Sequence, residues 1–152
     1  MPRLRRFARA LTGHAADADD LVQLSLERAL SRAGQLKPGA AVAGWMFGIV
    51  RNAWIDELRT RRRRGRFIDP AAEAEAVADA AAGTPAGLLA VQQAVARLPE
   101  EQASAVALVL IEGYSYQEAA EVLQVPIGTL TSRLARAREA LQGLLGTDGS
   151  GS

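Results

Sequence analysis

The chain has 152 residues, no cysteine, one histidine and a formal net charge of +1. Without cysteine there is neither a disulfide framework nor a thiolate metal site, and His14 alone cannot build a ligand cluster, so no metal and no cofactor are expected. No apolar run approaches the ~18 residues of a membrane span, and the arginine-rich start lacks the apolar stretch of a secretion signal; a cytoplasmic protein with no membrane insertion is the default.

The near-zero net charge hides an asymmetry. Residues 1–66 carry fourteen Lys or Arg against six acids, residues 67–96 carry four acids and no base, and the remainder carries four bases against seven acids. A basic block beside an acidic one suits a polyanion partner better than a small neutral substrate, although a solvated surface has the same composition. Seventeen of the eighteen bases are arginine, which fits forks onto phosphates and base edges; a GC-rich genome produces the same bias.

In chain order, Leu4, Phe7, Ala8 and Leu11 lie at helical spacing and put one apolar stripe on a first helix that Gly13 ends. A second helix opens in the acid cluster Asp17, Asp19, Asp20, where negative charge meets the positive end of the helix dipole, and runs through Leu21, Leu24 and Arg28 towards Gly34. Gln35 to Gly44 contains Pro38 and two glycines and reads as a loop. Trp45 then opens a third helix with Trp45, Ile49, Ile55 and Leu58 inward, which runs into Arg59 and Arg61 to Arg64. From Phe67 to Gly87 the sequence is Ala-rich and acidic, too poor in large apolar side chains to pack a core, and is read as a linker. Leu88, Val91, Val95 and Leu98 mark a helix stopped by Pro99; Glu100 and Glu101 open another that carries Val106, Val109 and Leu110 and ends at Gly113.

The pattern predicts an all-α fold: a helical domain over 1–66, a flexible linker over 67–87, a second helical domain over 88–145 and a disordered tail over 146–152. Each half has about 65 residues, a size that buries only about 60% of its unfolded-state surface and is marginal alone.

Ser115 to Leu144 is the most informative stretch. Ser115 with Glu118 three residues on is a capping box; Ala119, Ala120 and Leu123 give a short helix, Gln124 and Val125 a tight turn, and Pro126 presets the start of another helix. This is a helix-turn-helix arrangement, with small residues where the helices must approach. Along the second helix Leu130, Leu134, Ala137 and Leu141 face inward, leaving Thr129, Ser132, Arg133 and Arg136 outside, flanked by Thr131 and Arg138. Hydroxyls hold phosphates and arginine forks onto guanine, so this face fits a major-groove reader; an amphipathic helix in a plain bundle is the alternative.

These residues resemble the extracytoplasmic-function group of sigma factors. LPEEQASAVALVLIEGYSYQEAAEVLQVPIGTLTSRLARAREAL, from Leu98 to Leu141, resembles that family's fourth conserved region. ADADDLVQLSLERAL, from Ala16 to Leu30, resembles the part of its second region that docks on the polymerase, and GWMFGIVRNAWIDELRTRRRR, from Gly44 to Arg64, the part that opens and reads the minus-ten element. The resemblance implies a non-enzymatic transcription initiation factor, with core RNA polymerase, promoter DNA and an anti-sigma factor as partners and a role in stress response. It places Asp20, Leu21 and Gln23 on the polymerase-facing surface. Trp45 falls at the melted strand, where a plain core anchor is the competing role, and Asn52 falls on the minus-ten bases. It implies that Lys37 to Ala43 form a pocket for a flipped base, that Arg59 and Arg61 to Arg64 lie along DNA phosphates unless they are a solvated helix end, and that Thr129, Thr131, Ser132, Arg133 and Arg136 read the minus-thirty-five element. The acidic segment would thread towards the RNA exit path. The chain departs from the family at Leu24-Ser25, at Thr131 and at Gly48, which stand where the family usually has Glu-Thr, Lys and a larger residue. A sigma-like mimic that holds an anti-sigma factor without reading DNA is the second function compatible with these motifs.

Overall fold

The computed structural model describes residues 2–37, 39, 41–65 and 86–145. Within them there are seven α-helices and no strand. The expected linker is therefore outside the described residues except for its last two positions, and the expected tail is wholly outside them.

Helix α1 (Pro2–Thr12) starts on a proline, whose missing N–H would be unpaired at that position in any residue. Its stripe Leu4, Phe7, Ala8 and Leu11 is buried as expected, together with Ala10. Gly13 ends it at φ +72°, and a Cβ there would fall 2.7 Å from the Cβ of Ala96, so both the turn and a close approach require glycine. Helix α2 (Ala15–Ser31) begins ahead of the acid cluster because Ala18 N–H already donates to the His14 carbonyl at 2.9 Å, which leaves Asp17 in the first turn. Beyond Ser31 a short 3-10 turn spans Ala33–Gln35.

Helix α3 (Val42–Arg63) opens three residues before Trp45, whose N–H donates to the Ala41 carbonyl. Its buried face is Met46, Phe47, Ile49, Val50, Ala53 and Trp54. Of the four positions expected inward, only Ile49 is fully buried; Trp45, Ile55 and Leu58 sit at the border. The step of six from Ile49 to Ile55 carries Ile55 and Leu58 off the stripe that Trp45 and Ile49 begin, and α3, packed on α1, α2 and a helix of the second half, buries a broader face.

In the second half, α4 (Ala86–Ala96) buries Val95 and is followed by buried Leu98, while Leu88 stays 43% exposed. Helix α5 (Glu100–Val106) continues into a π turn over Ala107–Ile111, where Glu112 N–H reaches back five residues to the Ala107 carbonyl. This wider turn shifts the helical phase. Within it Leu110 is 51% exposed, and Ala107 and Leu108 are fully buried. Helices α6 (Tyr116–Leu123) and α7 (Ile127–Leu145) complete the chain.

The two halves share one continuous core. Phe7 packs on Phe47 with ring centroids 4.9 Å apart, and Phe47 meets Tyr114 edge-on at 5.6 Å, so an aromatic row runs from α1 through α3 to the residue after the π turn. Arg6 forks onto Glu112 through bonds of 2.8 and 2.9 Å, and the carboxylate is fully buried. Arg51 forks onto Glu100, which also accepts from the Ser104 hydroxyl at 2.7 Å. Two marginal bundles thus gain from each other the apolar cover that neither has enough of alone.

Candidate nucleic-acid interface

The helix-turn-helix is built as its sequence demands. Glu118 N–H donates to the Ser115 hydroxyl at 3.1 Å and the Glu118 carboxylate accepts from Ser115 N–H at 2.9 Å, a complete capping box. The bonds from the Ser115 N–H and hydroxyl hold the exposed Glu118 carboxyl below its ordinary range. Gln124 ends α6 at φ +57°, in the left-handed region, and the turn closes as Val125 N–H donates to the Ala120 carbonyl. Ala119 and Ala120 are buried where α6 meets α7, and Leu130, Leu134 and Ala137 form the buried row of α7.

On the outside of α7, Thr131, Ser132 and Arg136 are exposed. Thr131 returns its hydroxyl to the Ile127 carbonyl at 2.9 Å. Thr129 and Arg133, expected outside, are half-buried, and Arg133 has a buried Nη1 that donates to no acceptor among the described residues. The reason is rotational: Arg133 follows Leu130 by three residues and precedes Ala137 by four, so it borders the buried row. Arg138, on the opposite flank, donates to the Tyr116 hydroxyl at 3.1 Å.

At the far end of α3, Arg59, Arg62 and Arg63 are exposed around a shallow depression shared with Asp56 and Thr60. Arg64 is exposed beside them. Arg61 is different. It turns inward between Asp17 at 3.0 Å and Glu57 at 2.9 Å, with its guanidinium 5.1 Å from the centre of the Trp54 ring. Burial would lower its pKa, but the bonds it donates to both carboxylates outweigh burial and hold the guanidinium charged more firmly than usual.

Midway along α3, half-buried Trp45 and exposed Asn52 line one cleft together with Arg51, Gly44 and Gly48. The opposite wall of that cleft is α6, through Glu118, Glu121 and Val122. Of the loop Lys37 to Ala43, residues 38 and 40 lie outside the described residues, and Val42 and Ala43 already belong to α3. On α2, Asp20 and Gln23 are exposed, whereas Leu21 is 4% exposed and belongs to the core. Sequence reasoning passed over Arg51 and the Tyr116–Arg138 pair, because a bond between side chains 22 or 49 positions apart leaves no local spacing to read.

Among the described residues no helix is long and apolar enough to cross a membrane. An all-helical chain with a capped helix-turn-helix near one end and an arginine-edged helix in the other half belongs to the class of DNA-binding transcription factors. The comparisons with known proteins narrow this. Residues 88–141 match the family described as Sigma-70, region 4, and residues 1–51 match the one described as the Sigma2 domain of PhyR. The chain is 36% identical over 150 residues to the ECF RNA polymerase sigma factor EcfG of Rhodopseudomonas palustris strain TIE-1, covering 99% of this chain and 83% of that one. Its fold is similar to the sigma factor RpoE of Bartonella quintana, solved in complex with the anti-sigma factor NepR, at a TM-score of 0.77 and 32% identity over 97% of this chain and 92% of that one. The anti-anti-sigma factor PhyR of the same organism, solved with NepR, shares the fold at a TM-score of 0.63 and 18% identity, over 95% of this chain and 46% of that one. The chain belongs to the ECF RNA polymerase sigma factors.

Proposed function

We propose that this chain recruits core RNA polymerase to promoters and reads them at two places. Ser132 and Arg136 on the open face of α7 contact the minus-thirty-five element directly, with Thr131 beside them and with Thr129 and Arg133 at the edge of the groove. Trp45 and Asn52 meet the melted minus-ten strand, the ring by stacking and the amide by pairing with a base edge. Arg59, Arg62 and Arg63 run along phosphates; Arg61, held by Asp17 and Glu57, fixes the end of α3 on α2 so that its neighbours point outward. Asp20 and Gln23 face the polymerase, supported from beneath by Leu21. The division into a polymerase and minus-ten module over 1–66 and a minus-thirty-five module over 88–145 follows from this reading. So does a non-catalytic role in the cytoplasm, where polymerase and DNA are.

The observation that carries the proposal is the coexistence of an exposed Ser132–Arg136 face on a capped helix-turn-helix with the exposed arginines that end α3. Control by an anti-sigma factor is supported by the similar sigma factor RpoE, which is bound to NepR in its structure. A second reading, a mimic that occupies an anti-sigma factor without reading DNA, is favoured by the match of residues 1–51 to the Sigma2 domain of PhyR. Transcription from fragmented host DNA with purified core polymerase separates the two. The promoter reading expects discrete transcripts that require the protein and fade with Arg136→Ala; transcripts identical with and without the protein would leave the mimic.

A further inference from the structure

We propose that the cleft between α1, α2 and α4 binds a small phosphate ester of nucleotide size, held by Arg5, Arg6 and Arg9. None of the cleft residues belongs to the surfaces assigned above to DNA or polymerase, and the inference does not depend on those assignments.

Pro2, Arg5, Arg6 and Arg9 follow one another at steps of three, one and three, which sets all four along one face of α1. That face is one wall of an open cleft of about 380 Å³, a volume within the range of small-molecule sites. Ala15, Ala18 and Asp19 of α2 and Leu88 and Gln92 of α4 complete the lining, so three guanidiniums share the cleft with one carboxylate. Arg5 is bonded to that carboxylate, Asp19, at 2.8 Å, and Arg6 reaches Glu112, which lies outside the lining. Arg9 makes no ion pair among the described residues, and its Nε is buried without an acceptor. A half-buried guanidinium with no anion beside it is unfavourable, and phosphate oxygens would supply both the charge and the acceptors it lacks. From Arg5 to Arg9 the helix rises only about 6 Å, the reach of a short phosphate chain. The rest of the lining calls for an organic group. Leu88 of α4 is 43% exposed and lines the same cleft as Ala15 and Ala18, an apolar surface that a nucleoside would cover and a bare phosphate would not. Gln92, 6% exposed, donates to the Arg6 carbonyl at 3.2 Å and fixes α4 against α1.

The probes are metal-free ATP, tripolyphosphate as the phosphate chain alone, and adenosine, titrated into the isotope-labelled full chain while its amide resonances are followed. ATP is expected to shift the amides of Asp19 and Leu88 before those of Arg59, Arg62 and Arg63, tripolyphosphate to do so more weakly, and adenosine not at all. Shifts that begin at the α3 end would overturn the site, and tripolyphosphate binding as tightly as ATP would overturn the ester. Arg9→Gln should weaken ATP binding about tenfold, the order of one charge-assisted hydrogen bond. Arg62→Gln, outside the cleft, should weaken it less than about twofold; equal losses would reduce the binding to general screening by arginine and overturn the proposal. Asp19→Asn removes the cleft's carboxylate and releases Arg5, and should tighten ATP binding about threefold. A misfolded variant cannot bind more tightly, so unchanged or weaker binding by Asp19→Asn with retained helicity would also overturn the site.

Discussion

The end of α3 and the outer face of α7 both carry arginines, and the two regions hold them differently. On α3 one arginine of the run, Arg61, is drawn inward by two carboxylates and a tryptophan ring, its neighbours Arg59 and Arg62 stand free, and exposed Arg63 donates to the Thr60 hydroxyl at 3.4 Å. On α7 only Arg136 stands free, with Arg133 half-sunk beside the buried row and Arg138 tied to Tyr116. An arginine count in the sequence is therefore not a count of phosphate contacts. The α3 end is suited to diffuse backbone binding, and α7 to a few placed contacts.

Substitutions can break or sharpen that comparison. The largest effect should come from neither surface but from the core on which both are mounted: Phe47→Ala empties the aromatic row shared by the halves and is expected to lower stability by roughly 3–5 kcal/mol in urea denaturation. Next, Arg61→Ala should lose about 1.5–3 kcal/mol of stability, because it leaves Asp17 and Glu57 without their charged donor. Arg62→Ala should leave stability within about 0.5 kcal/mol and instead reduce the logarithmic salt slope of DNA binding by about 0.9. If both variants behaved alike, the difference between tied and free arginines would be void. On α7, Arg136→Ala should remove about 1–3 kcal/mol of discrimination between a promoter and its mutated upstream element, and Arg133→Ala should remove less; the reverse ranking in a binding titration would move Arg133 into the groove.

The smallest effect belongs to the cap. Ser115→Ala should lower stability by about 1 kcal/mol. Glu118 has a folded-state pKa below its unfolded one, so its contribution is complete above the ordinary carboxylate range and is lost as pH falls through the lowered value. Glu118→Gln should abolish that part of the acid dependence of helicity followed by circular dichroism.

Much of this was legible in the sequence where chemistry is local. The stripe of α1, the capping box at Ser115 and the row Leu130, Leu134, Ala137 and Leu141 rest on spacings of three and four or on a bond between near neighbours, and they stand as read except that Leu141 is half-buried against the core. The wide turn over Ala107–Ile111 was not legible, because no residue type marks a π turn. The apolar residues picked out on α3 marked little of its buried face, because the step of six from Ile49 to Ile55 leaves the stripe and a helix packed on three neighbours buries a broader face. Of the three α2 residues proposed to face the polymerase, Asp20 and Gln23 are exposed, whereas Leu21 lies in the row that packs on the core. The contact between the halves was not legible, because Arg6 and Glu112 are 106 positions apart and pair only once both bundles exist.

The claim that two separate surfaces of one small chain read two separate promoter elements is tested most directly by mapping DNA crosslinks in the assembled holoenzyme. A photoreactive residue at position 52 should attach to the minus-ten element, and one at position 136 to the minus-thirty-five element, each with no crosslink at the other site. Crosslinks from both positions to the same stretch of DNA, or from neither, would contradict the account.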